Sequence, residues 1–283
     1  MNDLRSPLGV YPFPPFEVYH YAMVGSTQDV LRNGLDSPGY FSGLGLPVVW
    51  ANEQEAGRGR QGSRWDCPAG EGLLVSVQLR PILPLVMAPL WSFQLALLVA
   101  EAVEDLCSGF RAWIKWPNDL VSHEGLKWGG LLIENQVRGT CLQEALVGLG
   151  INIHQKSWNG LPFATSLTLE QTKLTLATSP SLPNQDTLLH AILRVWADFA
   201  SPSSPSEDVI STVIDQEGIL GACQNRLWGK GQLLRFEGPD GSVSFTVLGL
   251  EKNGGLRVWD SVGSLERILR HPEYRLCYGQ SLP

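Results

Sequence analysis

Disulfide chemistry has little to work with in this chain. Five cysteines, at 67, 107, 141, 223 and 277, are an odd number, widely spread, with no CxxC pair. That excludes a cysteine framework and fits reduced thiols in a cytoplasmic protein. The five histidines show no metal-ligand spacing, so no metal site is assigned. The N-terminus lacks a basic segment followed by an apolar run, which gives no signal peptide. Cations are in deficit: 21 Lys and Arg stand against 28 Asp and Glu, a formal charge of −7. A protein that lives on nucleic-acid phosphates needs the opposite balance. Neither a GxxxxGK[ST] phosphate loop nor a dinucleotide fingerprint is present. One run of twenty residues, 81–100, carries no charge, the length of a membrane span. Three prolines break its first half, and its apolar pattern continues past Glu101. The reading is therefore a core helix over 89–106, with no membrane.

The 283 residues, 43% apolar and 17% charged, are globular and long enough for one large domain or two modest ones. The first fifteen, with four prolines, read as a loose arm. Strands are expected at 16–23, 46–51, 72–80, 111–116, 127–135 and 145–153. Segment 72–80 alternates as a half-buried strand, and the last two stand at hairpin separation. Helices are expected at 26–35, capped by Ser26, and at 187–200, with a short one ending near 218. No pattern is strong over 155–186, and 201–208 is a Ser/Pro-rich break. Beyond a boundary near 220, turns at Pro239-Asp240-Gly241 and Asn253-Gly254-Gly255 mark a small β-barrel of about 60 residues.

Five segments could carry chemistry. Gly57-Arg58-Gly59-Arg60-Gln61-Gly62 pairs a backbone that a ligand can approach closely with two guanidinium forks for phosphate or carboxylate. Lys115-Trp116-Pro117-Asn118-Asp119 is a strand end whose Asn and Asp can aim back at the sheet. Lys127-Trp128-Gly129-Gly130 sets a lysine beside bare backbone, suited to a carboxylate turning into an acyl phosphate. In the strand 147–152, Val147, Leu149 and Ile151 point one way, and Gly148, Gly150 and Asn152 the other, as close approach of a ligand would require. Ser26-Thr27-Gln28 can offer hydrogen bonds at a helix start. Trp65, Trp116 and Trp128 could wall a planar ring. Taken singly, a solvated turn, a surface lysine, a plain cap or core packing explains each of these as well.

In order along the chain, GRGRQGSRW, a long helix, KWPNDL, KWGGLLIE and VGLGINI resemble the catalytic domain of biotin protein ligases, the biotin–[acetyl-CoA-carboxylase] ligases, over about 24–153. The resemblance implies an α+β fold, the mixed sheet flanked by helices shared by class II aminoacyl-tRNA synthetases and biotin ligases, over 16–220. An SH3-like C-terminal β-barrel over 221–283 follows, after an arm at 1–15. It implies ATP and Mg²⁺ as cofactors, with no Mg²⁺ ligands assigned, and biotin as substrate. The acceptor is the biotin carboxyl carrier protein of acetyl-CoA carboxylase. By motif position, Lys127, Arg58 and Asp119 are catalytic. Ser26, Thr27, Gln28, Gln54, Arg58, Gly59, Arg60, Lys127 and Gly129 bind biotin. Arg58, Arg60, Trp65, Lys115, Asn118, Lys127 and Asn152 bind ATP. Asp119 is expected to orient the acceptor amine. Gln28 stands where the family often has Asn, and no C-terminal residue is carried into the site. Only some 23 residues precede the first motif, so no DNA-binding segment is expected. A monomer and a homodimer both remain open. So do a lipoate or octanoate ligase of the same fold group and a non-catalytic biotin sensor.

Overall fold

The computed structural model describes residues 5–158, 160–175, 182–200 and 216–281. Nine strands form the larger sheet: β1 (Gly9–Phe13), β2 (Phe16–Val24), β3 (Leu46–Gln54), β4 (Gly72–Leu79), β5 (Leu83–Pro84), β6 (Trp113–Lys115), β7 (Asp119–Val121), β8 (Lys127–Arg138) and β9 (Cys141–Asn152). Their order is β1-β2-β3-β4-β9-β8-β7-β6, with β5 also on β9. Only β2 and β3 run parallel; every other pair is antiparallel.

Helices cover both faces. On one, α1 (Thr27–Leu35) closes a small core of Tyr19, Tyr21, Val30, Leu31, Val49 and Leu146. On the other lie α2 (Ala88–Leu106) and α4 (Gln185–Trp196), which bury Leu95, Val99, Leu189 and Trp196 against Val75, Val77, Val147 and Leu149. Leu85–Leu106 is long and apolar enough to cross a membrane, but most of it is buried in this core. Because both faces are covered, β4 is buried at every position. The half-buried reading of its alternation is thus corrected: Leu74, Ser76 and Gln78 sit under α1 instead of in water.

Two further corrections concern segments without a strong pattern. The N-terminal arm is not loose over 9–13: β1 pairs with β2, and Phe13 stacks on His190 of α4 with ring centroids 4.7 Å apart. As an edge strand it tolerates Pro12. Within 155–186 a helix appears, α3 (Leu167–Thr175), whose hydrophobic periodicity is too weak to announce it. Residues 201–208 lie outside those described, as does most of the helix expected to end near 218. The described helix there is α5 (Gln216–Asn225), which crosses the expected boundary at 220. Its Cys223 is fully buried in the core that both sheets share.

The second sheet holds β10 (Leu233–Gly238), β11 (Gly241–Leu250), β12 (Leu256–Asp260), β13 (Leu265–Leu269) and β14 (Arg275–Ser281), all antiparallel in the order β13-β12-β11-β10-β14. Among the described residues no β13–β14 pairing closes it into a barrel. Its apolar side joins the main core through Leu234, Phe236, Val247 and Leu276. The turn at Gly254 meets the start of α2, and its carbonyl accepts from Trp116 Nε1 at 3.0 Å.

Candidate active site

Strand register builds the site. Gly150 of β9 lies opposite Gly130 of β8, Gly130 opposite Asp119 of β7, and Asp119 opposite Lys115 of β6. In a pleated sheet such a cross-strand row shares one face. A floor of bare backbone therefore runs straight into a carboxylate and a lysine. The floor must be bare. A Cβ on Gly150 would overlap the Trp65 indole, and one on Gly130 would lie 3.1 Å from both Asp119 Oδ1 and Lys127 Cε. Val147, Leu149 and Ile151 point to the opposite, apolar side, as their alternation predicts.

The cleft above this floor has a volume of about 740 Å³. One end is polar. Ser26, Thr27 and Gln28 begin α1 beneath β4 and are all buried. Thr27 Oγ1 lies 2.9 Å from Ser76 Oγ, and the Thr27 N–H donates to Gln54 Oε1 at 2.8 Å. Gln28 donates to the Leu146 carbonyl at 3.0 Å and accepts from Ser76 Oγ at 3.0 Å. Its longer arm thus reaches the sheet, and Gly148 keeps room for it: a Cβ there would stand 2.8 Å from Gln28 Oε1. Ser26 Oγ is buried in the lining and has no partner among the described residues. The expected side-chain cap from Ser26 is absent, although the residue has N-cap backbone geometry.

The other end is charged. Asp119 Oδ1 meets Lys127 Nζ at 2.6 Å, Oδ2 lies 4.0 Å from Lys115 Nζ, and the Tyr278 phenol donates to the same carboxylate. Burial alone would raise the Asp119 pKa, but the two ammonium groups and the phenol outweigh it and hold the group down to about 2. Lys115 is 2% exposed, and burial pulls its ammonium down to about 8 against the pull of Asp119. That ammonium sits 3.6 Å from the centre of the Tyr278 ring.

A short hairpin roofs the cleft. Its rungs are Trp65 N–H to the Gly57 carbonyl at 2.9 Å and Gly59 N–H to the Ser63 carbonyl at 2.7 Å. The tip turns at Gln61 and Gly62, both in the left-handed region, with φ 52° and 77°. A Cβ at Gly57 would strike the Trp65 carbonyl. Arg60 points inward, donating to Asn118 Oδ1 at 2.6 Å and to the His271 ring. Burial lowers its pKa, and burial with Arg60 alongside pushes the His271 imidazole down to about 4, so the ring accepts as a neutral base. Arg58 lines the cleft but is tied to Asp29.

Fourteen residues were singled out from the motifs. Lys127, Arg58, Asp119, Ser26, Thr27, Gln28, Gln54, Gly59, Arg60, Trp65, Lys115 and Asn118 all line this one cleft with Gly148 and Gly150. Gly129 and Asn152 are not brought there. Gly129 sits on the opposite pleat, where a Cβ would stand 3.0 Å from Leu120 Cδ1. Asn152 turns to the Thr165 carbonyl, at 3.0 Å. Trp128 is core, edge-on to Phe110. Motif reading missed Ser76 and the whole C-terminal contribution: Glu237, His271, Arg275, Leu276, Cys277 and Tyr278. No local pattern marks these; they arrive only when the second sheet docks.

Residues 22–152 match the model of the biotin/lipoate A/B protein ligase family. That match spans a little under half of the chain. The chain is 32% identical over 146 residues to the bifunctional ligase/repressor BirA of Bacillus spizizenii, covering 52% of this chain and 43% of that protein. It is 42% identical over 112 residues to the biotin–[acetyl-CoA-carboxylase] ligase of Paracoccus denitrificans, covering 38% and 45%. It therefore matches less than half the length of each of these relatives. The Aquifex aeolicus biotin protein ligase, solved with biotin and ATP, superposes with TM-score 0.65 at 24% identity, covering 92% of this chain and 98% of that one. The larger sheet with its helices and the small sheet beyond it thus have the fold of that structure over almost the full chain.

Proposed function

We propose that the chain activates biotin with MgATP, forming biotinyl-5′-AMP, and passes the biotinyl group to a lysine of a biotin carboxyl carrier protein. The carrier of acetyl-CoA carboxylase is the expected acceptor, in the cytoplasm, with neither DNA nor membrane taking part. The observation that carries the reading is the single cleft with a polar hydrogen-bonding end, a bare-backbone floor, and Lys127, Lys115 and Asp119 at the far end.

A ureido ring needs donors and acceptors around an otherwise apolar body. Ser26 Oγ, unpartnered and buried, with Thr27 and Gln54 beside it, supplies them. The valerate arm would run from that polar end along the cleft, beside Trp65, and present its carboxylate to Lys127. There the ammonium offsets the repulsion between carboxylate and α-phosphate and stabilises charge developing at phosphorus. A carboxylate oxygen attacks the α-phosphorus, the new O–P bond forms, and pyrophosphate leaves with the electron pair of the broken P–O bond. In the second step the carrier amine attacks the acyl carbon. The C–N bond forms, AMP leaves with the C–O electrons, and the amine proton passes to solvent. Asp119, held near pKa 2, stays ionised and is a poor base at neutral pH. It therefore orients the incoming amine by accepting its hydrogen bond.

Mg²⁺ enters this scheme with the nucleotide. Among the described residues no cluster of three His, Cys, Asp or Glu could hold a metal, and Asp119 is already engaged by two lysines and a phenol. Mg²⁺ commonly rides on substrate phosphates with few protein ligands.

The family description covers lipoate as well. A dithiolane would leave Ser26 and Gln54 facing an apolar ring, which disfavours it. Lys127→Ala separates an enzyme from a sensor. We expect the variant to keep biotin-dependent thermal stabilisation and to lose adenylate formation by about a hundredfold or more. Adenylate formation at the wild-type rate would overturn the role of Lys127.

A further inference from the structure

Tyr278, on the last strand of the second sheet, touches two of the three charged groups at that end of the cleft, Asp119 and Lys115. Its phenol donates to Asp119, and its ring lies under the Lys115 ammonium at 3.6 Å. Its ring is also nearly parallel to Phe163, at 12° and 6.1 Å between centroids. The carbonyl of Phe163 in turn accepts the Lys127 backbone N–H at 2.7 Å. The charged row on the large sheet is thus fixed from a second sheet, 159 residues further along the chain.

We propose that Tyr278 is a positioning residue for the transfer step: its phenol holds one side of the Asp119 carboxylate so that the remaining acceptor sites face the cleft, where the carrier amine arrives. This rests on the ligase reading above. The physical need is specific. Asp119 has two ammonium neighbours that compete for it, Lys127 at 2.6 Å and Lys115 at 4.0 Å. A carboxylate drawn into a chelate between them would offer no lone pair to a third amine. A neutral donor fixes its rotation without adding charge, and the same ring covers Lys115 from water. Adenylate formation leans on Lys127 and the arginines, so it depends on the phenol less.

The test compares the two half-reactions. In Tyr278→Phe, transfer from preformed biotinyl-AMP to a purified bacterial biotin carboxyl carrier domain should fall about ten- to a hundredfold, the range for a hydrogen bond to a charged group. The loss should appear in kcat with little change in KM for the carrier. Biotin-dependent pyrophosphate exchange should fall several times less. In an Asp119→Asn background, Tyr278→Phe should add almost nothing, because the phenol acts through that carboxylate. Equal losses in both half-reactions, or full additivity with Asp119→Asn, would make Tyr278 merely structural and overturn the proposal. Wild-type transfer in Tyr278→Phe would do the same. Absence of biotin-dependent exchange in the unmutated protein would instead sink the ligase reading itself. The contact can also be read without Tyr278→Phe: 3-fluorotyrosine at 278 gives a fluorine resonance that should move when Asp119→Asn is introduced, and a resonance that stays put overturns the contact.

Discussion

Single residues decide whether this cleft can exist. Gly150 carries the clearest case, since its missing Cβ is the space that the Trp65 indole fills. Its backbone is ordinary strand, so Gly150→Ala should fold, displace Trp65 and weaken biotinyl-AMP binding about tenfold or more. Isothermal titration checks this; wild-type affinity would show that the indole is not a wall of the site. His271 carries a pH dependence. Its imidazole is pushed down to about 4 in the folded protein, against an unfolded value near 6.5. Between those values the unfolded chain takes up a proton that the folded chain refuses, so stability is full above about 6.5 and drains away as pH falls toward 4. His271→Gln keeps an acceptor for Arg60 without the titration. Its melting temperature should fall less steeply than that of the unmutated protein between pH 7 and 4.5. Parallel slopes would contradict the assignment.

Elements were legible where their pattern was local. The long apolar stretch read as a core helix because its periodicity outlasts the charge-free run, and α2 occupies Ala88–Leu106. Leu95 is fully buried there, so Leu95→Ala should cost about 2–5 kcal/mol in urea unfolding. The 127–135 and 145–153 segments became the β8–β9 hairpin, and the glycine face of β9 is the cleft floor, as alternation implied. What could not be read depends on layers. That β4 is buried on both faces follows from α1 packing where water was expected. β1 holds because Tyr11 and Phe13 meet His190 of α4, a contact no window along the chain contains. Gly129 and Gly130 are neighbours in sequence, yet the pleat sends them to opposite faces, which the bulge between β7 and β8 makes hard to count in advance.

The whole molecule joins two sheets through one core and one cleft. Apolar residues of the second sheet belong to the same cluster as α2 and β9, and Trp116 Nε1 bonds to Gly254 across the junction. Unfolding in urea should therefore be a single transition, coincident by far-ultraviolet circular dichroism and tryptophan fluorescence. Two separated transitions would mean that the sheets are energetically independent. The same docking brings His271 and Tyr278 to Arg60 and Asp119, so the catalytic account is a claim about the full chain and not about residues 22–152 alone. The most direct test is pyrophosphate exchange into ATP by the purified full chain with Mg²⁺, offered biotin or lipoate and no carrier. Exchange that depends on biotin and is at least a hundredfold weaker with lipoate is the expected result. Exchange with lipoate alone, or none with either from folded protein, would contradict the account.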